Sequence, residues 1–259
     1  MSTGGIDLRV DAEHGGRWTS LRGPDGKEWL WRRDAPERDR VRPGDAFVDA
    51  GGLEECFPTV SGEPDHGDVW SRRWEPDGDG LAVEGADYRL RRAIVVDDTG
   101  ITASYELRAE PGRRFIWAAH ALLDLSGQAR LLLPEGHPMD VSTDDADFTA
   151  GWPDADGVDV SALGPDDGSV TFCMMAGLNE ATVRDGDSTL TMRLEVEGQP
   201  TAIALWRNLG GWPEAGPYRS IGVEPMIGAR AGLIRAEPGR AGVVPPDGEV
   251  RWTLRMTAS

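Results

Sequence analysis

The sequence predicts an all-β protein, in which antiparallel strands pack as a sandwich with few or no helices. Turn signals recur at short intervals, among them Pro24-Asp25-Gly26, Pro76-Asp77-Gly78 and Asp98-Thr99-Gly100. With 34 glycines and 18 prolines, the chain leaves little room for helices. The runs between turns have strand length, and no stretch of about 12 residues has the periodicity of an amphipathic helix.

Six segments carry the clearest strand pattern. They are residues 88–96, 101–109, 115–125, 189–197, 202–206 and 250–256. In the fourth, Leu190, Met192 and Leu194 alternate with polar residues, which is the period of a half-buried strand. Residues 142–167 form the longest stretch without clear strands. No linker, composition break or repeat divides the chain, which predicts a single domain over residues 1–259.

Composition excludes several kinds of partner. The formal net charge is -18, and Lys27 is the only lysine among 27 basic residues. Such a chain repels nucleic acid and anionic membranes, so neither is expected as a partner. Hydrophobic residues make up 39% of the chain, which is enough for a large buried core.

The two cysteines, Cys56 and Cys173, do not form a disulfide framework or a metal-binding spacing. We expect both to be buried thiols in a reducing compartment. Residues 1–16 lack the apolar core of a signal peptide, and no apolar run approaches the roughly 18 residues of a membrane span. These observations predict a cytoplasmic protein, and no metal or organic cofactor is expected.

One carboxylate stands out for its surroundings. Glu224 ends the apolar run 221–223 and is followed by proline, so partial burial would raise its pKa as a general base requires. Trp206, Trp212 and Tyr218 lie close by in sequence, and tryptophan and tyrosine faces stack on sugar rings. A surface carboxylate and ordinary core aromatics are the alternative interpretation.

Two histidines are candidates for acid–base chemistry or binding. His120 interrupts an otherwise apolar strand, where it is either a satisfied core residue or an acid or base at a cleft. His66 precedes Gly67 in a turn, with Trp70 and Trp74 nearby as a possible apolar floor. His14 and His137 also lie in turns, and we interpret them as solvated residues. These four make up all the histidines.

Motifs of other enzyme classes are absent from the sequence. It contains no H-E-x-x-H metal motif, no G-x-S-x-G nucleophile elbow and no phosphate-binding glycine loop.

Taken in order along the chain, these segments resemble the aldose 1-epimerase (galactose mutarotase-like) family. The matching blocks are Gly51-Gly52 through Phe57-Pro58, Asp65-His66-Gly67, Trp117-Ala118-Ala119-His120, Gly210-Gly211-Trp212-Pro213 with Val223-Glu224-Pro225, and the closing Pro245-Pro246-Asp247-Gly248. The Ala121-Leu122-Leu123 after His120 differs from the aromatic-rich segment of better-known mutarotases. The resemblance is therefore to a divergent member, nearer the glucose-6-phosphate 1-epimerase-like branch.

The resemblance implies a β-supersandwich and an isomerase that interconverts the α and β anomers of an aldose or aldose phosphate. Glu224 would take the proton of the anomeric hydroxyl while His120 donates one to the ring oxygen. His66 would orient the sugar, and Arg72 or Arg73 would bind hydroxyls or a phosphate. Trp70, Trp206 and Trp212 would form the platform for the sugar.

Two other functions remain open at this stage. The first is a non-catalytic carbohydrate-binding protein on the same fold. The second is a glycosidase or lyase, in which a second acid such as Asp68 or Glu135 would face Glu224 at about 5–10 Å.

Overall fold

Two large β-sheets account for most of the chain. The computed structural model describes residues 5–259, and the first four residues of the predicted 1–259 domain lie outside it. Two short 3-10 helices occur, at Pro36–Arg40 and Val69–Ser71. The strands, in chain order, are β1 (Asp7–Asp11), β2 (Arg17–Arg22), β3 (Leu53–Cys56), β4 (Glu75–Asp77), β5 (Gly80–Glu84), β6 (Tyr88–Asp97), β7 (Gly100–Ala109), β8 (Arg114–Phe115), β9 (Trp117–Leu123), β10 (Arg130–Leu132), β11 (Pro138–Thr143), β12 (Asp147–Gly151), β13 (Asp154–Ala155), β14 (Val158–Asp159), β15 (Val170–Ala176), β16 (Glu180–Asp185), β17 (Ser188–Val196), β18 (Thr201–Leu209), β19 (Arg219–Ile227), β20 (Gly242–Val243) and β21 (Glu249–Ala258).

The strands form one sheet of eleven, one of eight and a small pair. The first sheet has the order β1-β2-β3-β9-β19-β18-β15-β11-β12-β13-β14, and the second has the order β10-β16-β17-β21-β7-β6-β5-β4. Neighbouring strands pair antiparallel, as at β18 and β19 or β6 and β7. The predicted all-β supersandwich of antiparallel strands is confirmed.

The predicted strands match β6, β7, β17, β18 and β21 closely, because each is an alternating or apolar run of strand length. Two sequence predictions were wrong. The run 115–125 is divided into β8 and β9 with a break at Ile116. The stretch 142–167 holds the short strands β12, β13 and β14, which extend the edge of the larger sheet. Strands of two to five residues are too short to show a period in sequence.

The main core lies between the two large sheets and is built from the inward residues of both. Leu190, Met192 and Leu194 of β17 are buried, and Arg193 and Glu195 between them are exposed, as the alternation predicted. Cys56 and Cys173 are both buried free thiols. Within residues 5–259, no helix is long and apolar enough to cross a membrane.

A buried ion pair joins the two sheets through the middle of this core. Glu55 of β3 accepts hydrogen bonds from Arg92 of β6 at 2.6 Å, from the Tyr105 hydroxyl of β7 at 2.8 Å and from the Trp117 indole of β9 at 2.7 Å. Arg92 also donates to the carbonyl oxygen of Gly16 at 2.6 Å. The carboxylate and the guanidinium are both fully buried, so each group needs the opposite charge of the other to remain ionised in the core.

We expect Arg92→Met to lower the free energy of unfolding by about 3–5 kcal/mol, because it leaves the Glu55 carboxylate buried without a counter-charge. Urea unfolding followed by tryptophan fluorescence measures the change. Arg91→Met is a matched control on the next residue of β6, whose guanidinium pairs with Asp77 and Asp79 at the surface. This control should have a far smaller effect. Equal effects of the two substitutions would contradict the structural role of the pair.

Candidate active site

A broad cleft lies on the face of the eleven-stranded sheet that points away from the main core. Its volume is about 1460 Å³. Strands β9, β19, β18, β15 and β11 are consecutive in the sheet, and each contributes residues to its lining. Residues from four segments form its walls, within 33–49, 58–66, 212–220 and 230–237.

One row of side chains crosses the sheet under the cleft, perpendicular to the strands. Glu54 of β3 pairs with His120 of β9. The antiparallel register of β9 and β19 places His120 opposite Glu224. Continued across the sheet, the row reads Glu54, His120, Glu224, Ala204, Met174 and Asp140. The fold therefore brings the two predicted catalytic residues, which are 104 positions apart in sequence, onto adjacent strands.

His120 and Glu224 line the cleft as a close, buried pair. The Nε2 atom of His120 is 3.7 Å from the Oε1 atom of Glu224, which is longer than a hydrogen bond. The Nδ1 atom of His120 and the Oε2 atom of Glu224 are buried and have no hydrogen-bond partner. Buried polar atoms are normally satisfied, and within residues 5–259 the protein supplies no hydrogen-bond partner for these two.

Gly222 makes room for the Glu224 side chain. A Cβ atom at Gly222 would lie 2.9 Å from the Oε1 atom of Glu224 and 3.2 Å from the Cβ atom of Trp206. Any larger residue would therefore displace the carboxylate or the tryptophan. The Gly-x-Glu spacing on β19 is thus a requirement of the site.

Burial shifts the pKa values of Glu224 and His120 in opposite directions. Burial raises the pKa of the Glu224 carboxyl, and the nearby His120 lowers it by a smaller amount. Burial also lowers the pKa of His120, with Glu224 acting against the shift and His66 reinforcing it. The two pKa values therefore approach each other, as suits a pair that exchanges protons with one substrate.

His66 is held in a strained turn at the wall of the cleft. Its φ of 57° lies in the left-handed region, and the φ of the next residue, Gly67, is 75°. Position 67 requires glycine, because a Cβ atom there would collide with the Phe57 carbonyl. The Nδ1 atom of His66 is 3.0 Å from the Asp65 carboxylate, which accepts the hydrogen bond and leaves Nε2 available. The ring stacks on Phe47 with centroids 3.8 Å apart, and its centroid lies 5.0 Å from that of His120.

Trp206 and Trp212, which the sequence suggested as a platform for a sugar, both line the cleft. Their rings meet edge to face with centroids 5.9 Å apart, and the Trp206 indole donates to the Ser220 hydroxyl at 3.1 Å. Trp212 is 49% exposed, which is unusual for so large an apolar ring. Its exposed ring is available to a ligand.

Buried Asn208 shapes the loop that carries Trp212. Its side-chain oxygen accepts hydrogen bonds from the backbone N–H groups of Gly210, Gly211 and Trp212, between 2.9 and 3.2 Å. Its amide nitrogen donates to the carbonyl oxygens of Trp212 and Tyr218 at 2.9 and 2.8 Å. One side chain thus fixes both ends of the loop and holds Trp212 over the cleft.

Three predicted binding residues do not line the cleft. Trp70 is 1% exposed, and its indole donates to the carbonyl oxygen of Gly67 at 2.9 Å, so it supports the His66 turn from behind. Arg72 pairs with Asp68 at 2.7 Å, and Arg73 pairs at the surface with other carboxylates. The expectation that these residues contact the sugar was wrong, because local partners hold both guanidinium groups.

The acids suggested for a two-carboxylate glycosidase are also elsewhere. Asp68 is occupied by Arg72 and by the Tyr88 hydroxyl. Glu135 is exposed and lies outside the cleft.

Sequence reasoning missed Asp49 and Arg33, which form a wall of the cleft together with Tyr218. The Tyr218 hydroxyl donates to the Asp49 carboxylate at 2.7 Å, and the Arg33 guanidinium lies over the Tyr218 ring at 4.7 Å. The pKa of Tyr218 is raised to about 12, chiefly by burial and by the hydrogen bond to Asp49. Asp49 stands two residues before the Gly51-Gly52 block, which was the available signal.

The described residues contain no cluster of three or more His, Cys, Asp or Glu side chains arranged to hold a metal ion.

Solved structures share this fold. A candidate aldose 1-epimerase from Escherichia coli K12 is 17% identical with a TM-score of 0.73, and the match covers 100% of this chain and 97% of that one. A galactose mutarotase-like protein from Clostridium acetobutylicum is 10% identical with a TM-score of 0.64, and the match covers 99% of this chain and 93% of that one. A galactose mutarotase related enzyme from Lactobacillus acidophilus is 10% identical with a TM-score of 0.66, and the match covers 98% of this chain and 95% of that one.

No protein-family model and no curated protein matches the sequence. The three neighbours named above are an aldose 1-epimerase candidate and two galactose mutarotase-like or related proteins, all at low sequence identity. They confirm the divergent resemblance seen in the motifs, at the level of the fold.

We expect Glu224→Gln to stabilise the protein at alkaline pH. In the folded chain the Glu224 carboxyl has a pKa above its ordinary value of 4.5. As the pH rises past about 4.5, the carboxyl therefore ionises first in the unfolded chain, which lowers the free energy of unfolding. This loss continues until the carboxyl has ionised in the folded chain as well. Glutamine removes this loss, and we expect a gain of about 1–3 kcal/mol at pH 8.

Urea unfolding at pH 5 and pH 8 checks this, since the gain should be clearly smaller at pH 5. Glu37→Gln is the control, because Glu37 lines the same cleft but is exposed. A glutamine variant at position 224 that is less stable than the native protein at pH 8 would contradict the prediction.

Proposed function

We propose that this protein is an aldose 1-epimerase-type isomerase that interconverts the anomers of a neutral aldose by acid–base ring opening. The observation that carries the proposal is the buried His120–Glu224 pair, 3.7 Å apart in an open cleft, with one unpartnered atom on each side chain. The printed names of the structural neighbours, an aldose 1-epimerase candidate and two mutarotase-like proteins, support it.

Ring opening needs one base and one acid at adjacent oxygens of the sugar. The Glu224 carboxylate takes the proton from the anomeric hydroxyl, and that O–H electron pair becomes the second bond of the C1 carbonyl. The bond between C1 and the ring oxygen breaks, and the ring oxygen receives its proton from the His120 imidazolium. After rotation about C1–C2, His120 takes this proton back as the ring oxygen attacks the other carbonyl face. Glu224 then returns its proton to the carbonyl oxygen.

The surroundings suit both steps. Burial makes the Glu224 carboxylate a stronger base and the His120 imidazolium a stronger acid. Each proton transfer therefore runs closer to energetic balance than it would between the same groups in water. The proton returns to its donor at the end of a turnover, so no cofactor enters this scheme.

Binding groups surround the pair. His66, whose Nε2 atom is available, lines the cleft, and so do Asp49 and Tyr218. Together they offer acceptor atoms to the hydroxyl groups of a sugar. Trp206 supplies an apolar face beside Glu224, because Ala204 is the direct cross-strand partner of Glu224 and Trp206 lies two residues farther along β18.

The charges of the cleft favour a neutral sugar over a sugar phosphate. The lining includes three arginines, at positions 33, 230 and 235, against seven carboxylates at 37, 49, 63, 65, 140, 224 and 237. Arg33 lies over the Tyr218 ring, and Arg230 pairs with Asp140 and Glu237. A cleft with excess negative charge, in a protein of net charge -18, repels an anionic substrate.

The cytoplasmic location predicted from the sequence belongs to the same proposal. The two buried free cysteines are compatible with a reducing compartment.

We expect the protein to accelerate the mutarotation of at least one neutral aldose, and Glu224→Gln to lower kcat/KM by about 10²–10⁴-fold. Polarimetry of freshly dissolved α-anomers, or NMR exchange at equilibrium, measures the rate over a panel of aldoses. Glu195→Gln, at an exposed site on the other sheet, is the control and should retain full activity. Saturable sugar binding without faster mutarotation would reject the isomerase and favour a carbohydrate-binding protein.

We expect a bell-shaped dependence of kcat/KM on pH. The reaction needs ionised Glu224, whose pKa is raised above its ordinary 4.5, and protonated His120, whose pKa is lowered below its ordinary 6.5. After correction for the solvent-catalysed rate, kcat/KM should rise with pH as Glu224 ionises and fall as His120 loses its proton. A kcat/KM that stays constant up to pH 9 would contradict His120 as the proton donor.

A further inference from the structure

The cleft floor continues well beyond the His120–Glu224 pair. Five strands line it, and four spacings of about 4.8 Å give a width of roughly 19 Å. Glu224 lies on β19, the second strand of the five, so β18, β15 and β11 extend to one side of it. A single ring with its anomeric carbon at Glu224 leaves most of that side uncovered.

The uncovered side has an apolar floor and a polar rim. Phe172 and Met174 of β15 form the floor next to Trp206, since Phe172 pairs with Trp206 across the strands. Asp140 and Ser142 of β11 lie beyond them and also line the cleft. A pyranose ring presents an apolar C–H face and hydroxyls around its edge, which matches a floor of this kind.

The rim favours hydroxyl groups over an anion. Arg230 lies between two carboxylates, with its nitrogen atoms 3.3 Å from Asp140 and 3.2 Å from Glu237. The guanidinium group of Arg230 is therefore already held by two carboxylates. A phosphate would displace satisfied ion pairs and meet both carboxylates, whereas a neutral hydroxyl can donate to either one.

The geometry points to a second sugar-binding subsite over β15 and β11, lined by Phe172, Met174, Asp140, Ser142 and Arg230. We infer that the preferred substrate is the reducing end of a neutral disaccharide or longer oligosaccharide. Its reducing ring lies at Glu224, and the next ring lies on Phe172. This outer subsite rests on the proposed function for the orientation of the chain, but its affinity for sugar is measurable without catalysis.

Titration calorimetry on the native protein tests the outer subsite, with glucose, maltose, cellobiose, lactose and glucose 6-phosphate as ligands. At least one reducing disaccharide should bind about tenfold more tightly than glucose. Phe172→Ala should remove most of this advantage and affect glucose much less, because an aromatic face contributes about this much. Leu132→Ala, at an exposed site of the other sheet, is the control for truncation of an apolar side chain.

A second variant protects the test if Phe172→Ala fails to fold. Ser142→Trp fills the outer subsite from its rim and should also abolish the disaccharide advantage. Equal affinities for glucose and all disaccharides, or tightest binding of glucose 6-phosphate, would overturn the inference. The inference would also be overturned if Phe172→Ala and Ser142→Trp each lowered the affinity for every sugar by the same factor.

Mutarotation of the same sugars separates this inference from the proposed function. A disaccharide advantage in binding without faster mutarotation retains the outer subsite and rejects the isomerase. Faster mutarotation with no disaccharide advantage retains the isomerase and rejects the outer subsite.

Discussion

The structure depends on two adjacent glutamates of one short strand, each buried and each held by its own arginine. Glu55 faces the main core, where Arg92 binds it from the opposite sheet at 2.6 Å. Glu54 faces the cleft side, where Arg38 of the first 3-10 helix binds it through both oxygens at 3.0 and 2.8 Å. The alternation of a strand forces neighbours onto opposite faces, so β3 is anchored from both sides. Breaking either pair would leave a buried charge without a partner.

These anchors also position the catalytic candidates. β3 pairs with β9, and Trp117 at the start of β9 donates to Glu55 while His120, three residues on, points to the other face. A slip of one residue between these strands would turn His120 into the core and break the Trp117 bond. The Arg38–Glu54 pair ties down the segment that carries Phe47, and Phe47 in turn stacks on His66. Both histidines are therefore held by charge pairs that take no part in the chemistry.

The sequence predicted what depends on local pattern. The alternation of apolar residues and the spacing of turns predicted the β-sandwich. The order of short motifs singled out His66, His120 and Glu224, which the fold brings to one cleft. It did not predict partners that only topology brings together, such as Arg38 with Glu54 or Arg92 with Glu55. Arg38 lies 16 residues before Glu54, and Arg92 lies 37 residues after Glu55 on the other sheet, so no local spacing signals either pair. Arg72 shows the opposite error, since its pairing with Asp68 four residues earlier was visible in sequence. A local ion pair of that kind removes a guanidinium from any distant site.

Glu54 and Glu224 show why one buried carboxylate is structural and the other is suited to catalysis. They lie on the same face of the sheet on either side of His120, and burial raises the pKa of both. Two arginines counteract the shift at Glu54, where the pKa is about 7, and Arg38 occupies its oxygens. Glu224 has only His120 beside it, beyond hydrogen-bond distance, and its Oε2 atom has no partner. A carboxylate held by arginine cannot take a proton from a substrate without losing that bond. Because no arginine among the described residues holds it, the Glu224 carboxylate can take a proton without breaking an ion pair, which leaves it able to act as a base.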